Sequence, residues 1–301
     1  MRKDIEFKTD DGVTLRGWFY QPDSGTGPFP TIVMCHGFSA TKEQALDDNA
    51  DVFCAGGFAV LVYDNRNLGA SDGPLRGEID PNQQIHDCRD AITYAITLPE
   101  VDSDRIGIWG SSYSGGHVCV VGAIDRRVKC VVSQVPYLAG FGASRRLATP
   151  LGLRGLRQAF EADRLARFNG EPPVYLPVVP VSPGDPNAIL AQDSAAEWFF
   201  GTSSYATTWE NLATLRSAEM FFEYDASPFV AQIAPTPFML VVTADDPICS
   251  SDLSLKVFNQ DASEPKRVLV LPGEHFAIYG GDLMKRASAA ELDWFQEWLM
   301  A

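Results

Sequence analysis

The sequence predicts a doubly wound, mostly parallel α/β sheet with an inserted helical cap. Three observations carry that reading. Short runs that are apolar on both faces recur along the chain, as strands buried between two layers require. Amphipathic stretches separate them, and such alternation of strand and helix builds a doubly wound sheet. Between residues 141 and 225 the alternation stops and a helix-rich stretch takes over, too long for a simple crossover. The predicted organisation is a first core segment at 1–140, a helical cap at 141–225 and a second core segment at 226–301.

The elements follow in chain order. Residues 4–20, DIEFKTDDGVTLRGWFY, alternate around the turn at Asp11-Gly12 and predict a hairpin. A Pro- and Gly-rich loop follows. The apolar runs TIVMC (31–35), FAVLVYD (58–64), RIGIWG (105–110) and VKCVVSQV (128–135) predict four core strands. PFMLVVTA (237–244) and KRVLVLPG (266–273) complete the set. Helical patterns lie between them in KEQALDDNADVFCAGG, in NQQIHDCRDAITYAITL and after Ser112, and ASAAELDWFQEWLM closes the chain as a helix. Within the cap, SRRLATPLGLRGLRQAFEADRLARF reads as interrupted helix and GEPPVYLPVVPVSPGDP as a connector. DSAAEWFF and TTWENLATLRSAEMFF read as further helix.

Composition narrows the class. The chain has 301 residues, 46% hydrophobic and 21% charged, enough to build a sizeable core. A net charge of −15 argues against a nucleic-acid partner, because phosphate binding needs a concentrated basic face. The N-terminus is charged, and no apolar run approaches the ~18 residues needed to span a bilayer, so no membrane partner is expected. The expected setting is cytoplasmic. Cys35, Cys119 and Cys130 sit in apolar runs and are expected to be buried thiols. The expected partner is a small-molecule acyl substrate, with a homodimer as the oligomeric option.

The chemistry centres on RIGIWGSSYSGG (105–116). A core strand stops in a tight Ser/Gly turn and a helix begins, as in a nucleophile elbow. The turn needs small residues two before and two after the nucleophile. Gly110 and Ser114 meet that need around Ser112, which directly follows the strand. Centring on Ser114 instead would make Ser112 and Gly116 the small pair. A serine is a weak nucleophile and needs a base oriented by a third group. Of four histidines, His275 follows the last strand in a Gly-rich loop and is the candidate base. His36 precedes a tight turn and reads as structural, while His86 and His117 lie in helical patterns. The acid is expected at the end of the preceding strand, where Asp246 is the choice and Asp245 the alternative. Oxyanion donors are expected from the backbone of Tyr113, after the nucleophile, and of Phe38, in the loop CHGFSATKE. Without these partners the Ser/Gly turn, the aspartates and HGF would read as ordinary loop chemistry.

At this point the chain resembles the α/β-hydrolase fold family along its whole length. The HGF loop, DNRNLGASDG (64–73), the elbow, the acid turn and GEHF fall in family order, with Ser, Asp and His in the order of its triad. The Ser112-Tyr113 pair is similar to the X-prolyl dipeptidyl peptidase and cocaine-esterase branch. The length and the HGF-x-A-T-K-E stretch are similar to dienelactone-hydrolase-like proteins and to fungal polyketide transferases, which implies ester hydrolysis or acyl transfer. Two positions depart from these groups. The cocaine-esterase branch has a tyrosine hydroxyl in its oxyanion hole where this chain has Phe38, and dienelactone hydrolases have a cysteine nucleophile where it has Ser112.

Other features have plainer readings. The 64–73 turn is expected to order its loop through side-chain-to-backbone bonds. Arg145, Arg146, Arg154, Arg157, Arg164 and Arg167 are expected on solvated helix faces, paired with Glu161 and Asp163. The aromatics Trp198, Phe199, Phe200, Trp209, Phe221 and Phe222 are expected to be cap core singly and pocket lining as a set. His86 and Cys88 lack the further ligands of a zinc site, and no Gly-rich loop has P-loop or dinucleotide spacing, so no metal or cofactor is expected.

The predicted function is a serine hydrolase that cleaves an ester or thioester of a mid-sized apolar acyl group through an acyl-enzyme. Its rivals are acyl transfer through the same triad, cleavage of a C–C bond or an X-Pro peptide, and a non-catalytic receptor on the same fold.

Overall fold

The chain opens with the predicted hairpin, β1 (Arg2–Lys8) and β2 (Thr14–Tyr20), antiparallel about a turn closed by Gly12 N–H to Thr9 O. The computed structural model describes residues 1–147, 150–185 and 187–301. β3 (Phe29–Cys35) and β4 (Ala59–Tyr63) are buried at every position, and α1 (Leu46–Ala55) joins them. α2 (Pro81–Ala95) starts where Asp80 accepts hydrogen bonds from the N–H groups of Asn82 and Gln83, with Pro81 at the first helical position. β5 (Val101–Ser111), α3 (Tyr113–Ile124) and β6 (Val128–Gln134) complete the first core segment.

The helix-rich insertion follows. It holds α4 (Gly140–Leu147), α5 (Pro150–Phe168), β7 (Tyr175–Leu176), α6 (Asp193–Thr202), β8 (Ala213–Thr214) and α7 (Leu215–Glu223). Ala148 and Thr149, in the stretch read as interrupted helix, and Pro186, in the connector, lie outside the described residues. Residues 207–214 depart from the expected helix. Asn211 bonds both the N–H and the C=O of Val179, and β8 pairs antiparallel with β7. Thr214 caps α7 by accepting from Ser217 N–H, so the helix starts only at Leu215.

The chain returns to the core through a 3₁₀ turn at Ser227–Gln232, β9 (Phe238–Thr243), α8 (Ser251–Asp261) and β10 (Lys266–Leu271). A 3₁₀ turn at His275–Tyr279 then leads into α9 (Gly281–Leu299). α8 was not among the expected elements. The strands form one eight-stranded sheet in the order β1-β2-β4-β3-β5-β6-β9-β10. The pairs β1–β2 and β2–β4 are antiparallel and the rest are parallel. β10, at the sheet's edge, differs from the inner strands in being covered on one face only: Leu271 is buried, whereas Val268 and Val270 are exposed.

The topology positions the site. From β3 the chain moves outward to β4, then returns to the other side of β3 as β5. Ligands bind at such a switch point, beyond the carboxyl ends of the strands. In register, Cys35 pairs with Gly110, so the HGF loop and the Ser/Gly turn leave the sheet side by side. One apolar cluster continues from the sheet into the insertion, joining Ile108 and Leu240 to Val178, Phe199 and Phe221.

Candidate active site

Ser112 follows β5 at φ 57° and ψ −118°, a left-handed-side conformation that few non-glycine residues hold without support. Three backbone bonds supply it. Ser112 N–H donates to Gln134 O at 2.9 Å, and Ser112 O accepts from Gly115 N–H at 3.0 Å and Tyr137 N–H at 2.9 Å. The turn is too tight for a side chain at Gly110, where a Cβ would lie 2.3 Å from Ser114 O. Ser114 fills the second small position and is buried.

His275 and Asp246 reach Ser112 from the loops that follow β10 and β9. β9 and β10 run in parallel register to Thr243 and Leu271, and the two loops beyond them are joined by Asp245 N–H to Gly273 O. Asp245 thus contributes backbone, with its side chain in an exposed residue, while Asp246 is buried. Asp246 Oδ2 lies 2.6 Å from His275 Nδ1, and His275 Nε2 lies 3.1 Å from Ser112 Oγ. Asp246 Oδ1 accepts from the N–H groups of Ile248 and Cys249, both at 2.8 Å. Burial alone would raise the Asp246 pKa. The charge and hydrogen bond of His275, with the two N–H donors, outweigh it and hold the carboxyl below its ordinary value. An ionised Asp246 fixes the proton of the imidazole on Nδ1, which leaves Nε2 to accept from Ser112.

The two expected backbone donors flank the serine. Tyr113 is the first residue of α3, where N–H groups have no partner within the helix. Phe38 is held against it by an edge-to-face ring contact at 5.4 Å. The Phe38 loop presses on Ser112, since a Cβ at Gly37 would lie 2.9 Å from Ser112 Cβ. The HGF-x-A-T-K-E stretch explains how that loop is fixed. Asn65 N–H donates to His36 Nε2, which places the proton on Nδ1, bonded to Gly37 O. Lys42 donates from both its backbone N–H and its Nζ to buried Asp64, each at 2.7 Å. Asp64 also accepts from Ala70 N–H, so this carboxylate orders the 64–73 turn. His117 is buried between Tyr224 and Gln84, and burial lowers its pKa to about 3, while His86 is exposed on α2.

A pocket opens over Ser112 and His275. Its walls are Phe38, Leu46, Tyr137, Leu190, Trp198, Phe199, Phe221, Ile248, Phe276 and Tyr279. Three of the six cap aromatics line it. Trp209 stacks behind Phe199, Phe200 is exposed, and Phe222 faces a second cleft between α4, α5 and α7. The triad pocket is narrow, about 30 Å³, whereas the second cleft is about 290 Å³. The stacked rings of Tyr137 and Phe221, 4.2 Å apart, adjoin both spaces through Ser144 and Phe222. Arg145 and Arg157 line the second cleft, and Arg146, Arg164 and Arg167 pair with Asp252, Glu219 and Asp163.

Sequence reasoning did not single out Cys249 or Tyr279. Cys249 Sγ lies 4.0 Å from Ser112 Oγ. With Asp246 and His275 it forms the group of potential metal donors found among the described residues, all within 4.8 Å of one another. A metal there would have to displace the hydrogen bonds that join Asp246, His275 and Ser112. The clue to Tyr279 was its spacing, four residues after His275 in GEHFAIY. Among the described residues, no helix is long and apolar enough to cross a membrane.

A Ser–His–Asp line at the carboxyl ends of a doubly wound sheet, with the His and Asp buried, defines an α/β hydrolase. The chain belongs to the X-Pro dipeptidyl-peptidase (S15) family, whose profile matches residues 11–277. It is 33% identical to polyketide transferase grgF of Penicillium sp over 94% of this chain and 92% of that protein. It is 31% identical to thiohydrolase aneE of Aspergillus aculeatus over 88% and 83% of the two chains. The crystal structure of the α/β hydrolase GrgF from Penicillium sp. sh18 superposes with a TM-score of 0.85 at 30% identity, covering 100% of both chains. The protein is an enzyme of the serine hydrolase and acyltransferase type found in this family.

Proposed function

We propose that the protein cleaves a thioester or ester of a mid-sized, largely apolar acyl group through an acyl-enzyme on Ser112. The observation that carries this reading is the continuous line from Asp246 through His275 to Ser112, at 2.6 and 3.1 Å. Ser112 Oγ attacks the carbonyl carbon while its proton passes to His275 Nε2, and Asp246 holds the imidazolium. The N–H groups of Phe38 and Tyr113 stabilise the oxyanion. His275 then protonates the leaving group, and the acyl group leaves Ser112 with water. The aromatic and aliphatic lining supports an apolar acyl chain. The relatives named thiohydrolase and polyketide transferase support a thioester donor.

Acyl transfer to an alcohol is the second reading, favoured by the small, ring-lined pocket, which leaves little room for bulk water. An X-Pro peptide fits less well. The described pocket lining contains no carboxylate to receive a free amino terminus. Six free cysteines support a reducing, cytoplasmic setting.

The test is labelling with a fluorophosphonate probe beside turnover of acyl thioesters. Wild type should label. Ser112→Ala should not, and should lose activity on the order of 10⁶-fold. Labelling of Ser112→Ala would overturn the assignment of the nucleophile.

A further inference from the structure

The triad pocket is apolar except for a few groups whose hydrogen bonds can be accounted for one by one. Tyr137 Oη is held by the carbonyls of Gly140 and Phe221 and by Ser144. Gln44 turns its amide nitrogen to Thr202 and its oxygen to Thr41 N–H. Tyr279 is different. Its hydroxyl lies 2.8 Å from Ser111 Oγ, and Ser111 Oγ already accepts from Gln134 Nε2 at 3.1 Å. A buried hydroxyl hydrogen requires an acceptor, and Tyr279 Oη is the one within reach of Ser111. The chain of donors therefore runs from Gln134 to Ser111 to Tyr279. It leaves the Tyr279 hydrogen free of Ser111, on the Ser112 side of the pocket.

That hydrogen is beside the reacting atoms. Tyr279 shares the 3₁₀ turn of His275, with ring centroids 5.9 Å apart, and its hydroxyl also interacts with Ser112. Trp198 of α6 packs on Tyr279 and Phe276 at 5.1 and 5.2 Å and fixes the turn. Burial pushes the phenol pKa well up, so it remains a donor at any assay pH.

We infer that Tyr279 is a further catalytic residue, whose hydroxyl donates a hydrogen bond to the oxygen of the acceptor as it attacks the acyl-enzyme. The inference rests on the acyl-enzyme proposed above. The acceptor, water or an alcohol, must place its oxygen on the acyl carbon and its proton on His275 Nε2. The C–O bond to the acceptor forms, the C–O bond to Ser112 breaks, and His275 returns the proton to Ser112 Oγ. Tyr279 keeps its own proton throughout and orients the acceptor's second lone pair. In the first half-reaction the same place is taken by the leaving group. A thioester sulfur accepts hydrogen bonds weakly, so Tyr279 assists oxygen acceptors and contributes little to thiolate departure.

The test is rapid-quench kinetics on an acyl 4-nitrophenyl thioester. The burst of 4-nitrothiophenol reports acylation and the steady state reports deacylation. In Tyr279→Phe the burst rate should stay within about twofold, while the steady-state rate falls about tenfold, the worth of one hydrogen bond. Ser111→Ala should show the same pattern in milder form, and it carries the test if the Phe variant folds poorly. Equal slowing of both phases, or no slowing of either, overturns the role of Tyr279. A wild type with neither burst nor fluorophosphonate labelling overturns the acyl-enzyme reading itself.

Discussion

At the scale of single residues, the strain on Ser112 ties function to stability. Its backbone at φ 57° and ψ −118° costs a serine on the order of 1–3 kcal/mol, and Gln134, Gly115 and Tyr137 hold it there. Glycine adopts such angles freely, although it loses about 0.5–1 kcal/mol through its greater freedom when unfolded. Ser112→Gly should therefore be inactive yet more stable, by about 1 kcal/mol in chemical denaturation. A variant less stable than wild type would show that the three backbone bonds relieve the strain completely. The residues named from the sequence were those whose chemistry is tied to a position at a strand end: Ser112 after β5, Asp246 after β9 and His275 after β10. Between Asp245 and Asp246 the sequence favoured Asp246 but kept Asp245 as the alternative. Which carboxylate turns inward depends on Asp245 lending its N–H to Gly273.

At the scale of elements, α9 locks onto β5 through an acid with an unusual environment. Glu291 is wholly buried on α9, and its Oε2 accepts from Trp109 Nε1 of β5 at 3.0 Å, while Oε1 has no hydrogen-bond partner. Burial pushes its pKa up to about 8. In the folded protein the group therefore keeps its proton at pH 7, whereas in the unfolded chain it is ionised above its ordinary 4.5. The folded state binds the extra proton between those values, so this group's contribution to stability falls as pH rises from about 5 to 8. The loss amounts to a few kcal/mol. Glu291→Gln, which cannot ionise, should gain stability relative to wild type across that window, and melting temperatures of the two measured from pH 5 to 8 should diverge upward. Parallel curves would show that Glu291 ionises in place. This pairing was hidden in the sequence, because Trp109 and Glu291 are 182 positions apart and only the packing of the last helix on a central strand joins them. The same reason hid β7 and β8: a two-residue strand leaves no period to read, and its partner lies in a stretch whose local pattern is helical.

At the scale of the whole molecule, the sheet was legible because nearly every core strand is a run buried on both faces, and the hairpin because its two strands alternate about a DG turn. How the insertion sits on the site was less legible, since it depends on side chains meeting across the switch point. Gln44 in the HGF loop donates to Thr202 of α6, and Phe38 packs on Phe221 of α7 at 5.2 Å. Core and insertion thus close together over a space of about 30 Å³, enough for only a couple of water molecules. A mid-sized acyl chain requires more room, and the larger cleft lies past the Tyr137–Phe221 pair. Tyr137 is anchored by its hydroxyl, whereas the Phe221 side chain is held by ring packing alone and is the side of that wall that a smaller residue would open. Phe221→Leu should shift kcat/KM toward longer acyl chains in a series of thioesters, at a cost of about 1 kcal/mol in stability. An unchanged chain-length profile would place the acyl chain elsewhere.

Cys249 has a bearing on how this enzyme will look to a chemist at the bench. Its thiol is buried with a pKa well above the ordinary value, so soft alkylating agents that need a thiolate will find it slow. A mercurial, which seeks sulfur whatever its protonation, would be anchored on a thiol whose Sγ lies 4.0 Å from Ser112 Oγ and stop turnover. Inhibitor profiling alone would then file a serine enzyme among the cysteine hydrolases.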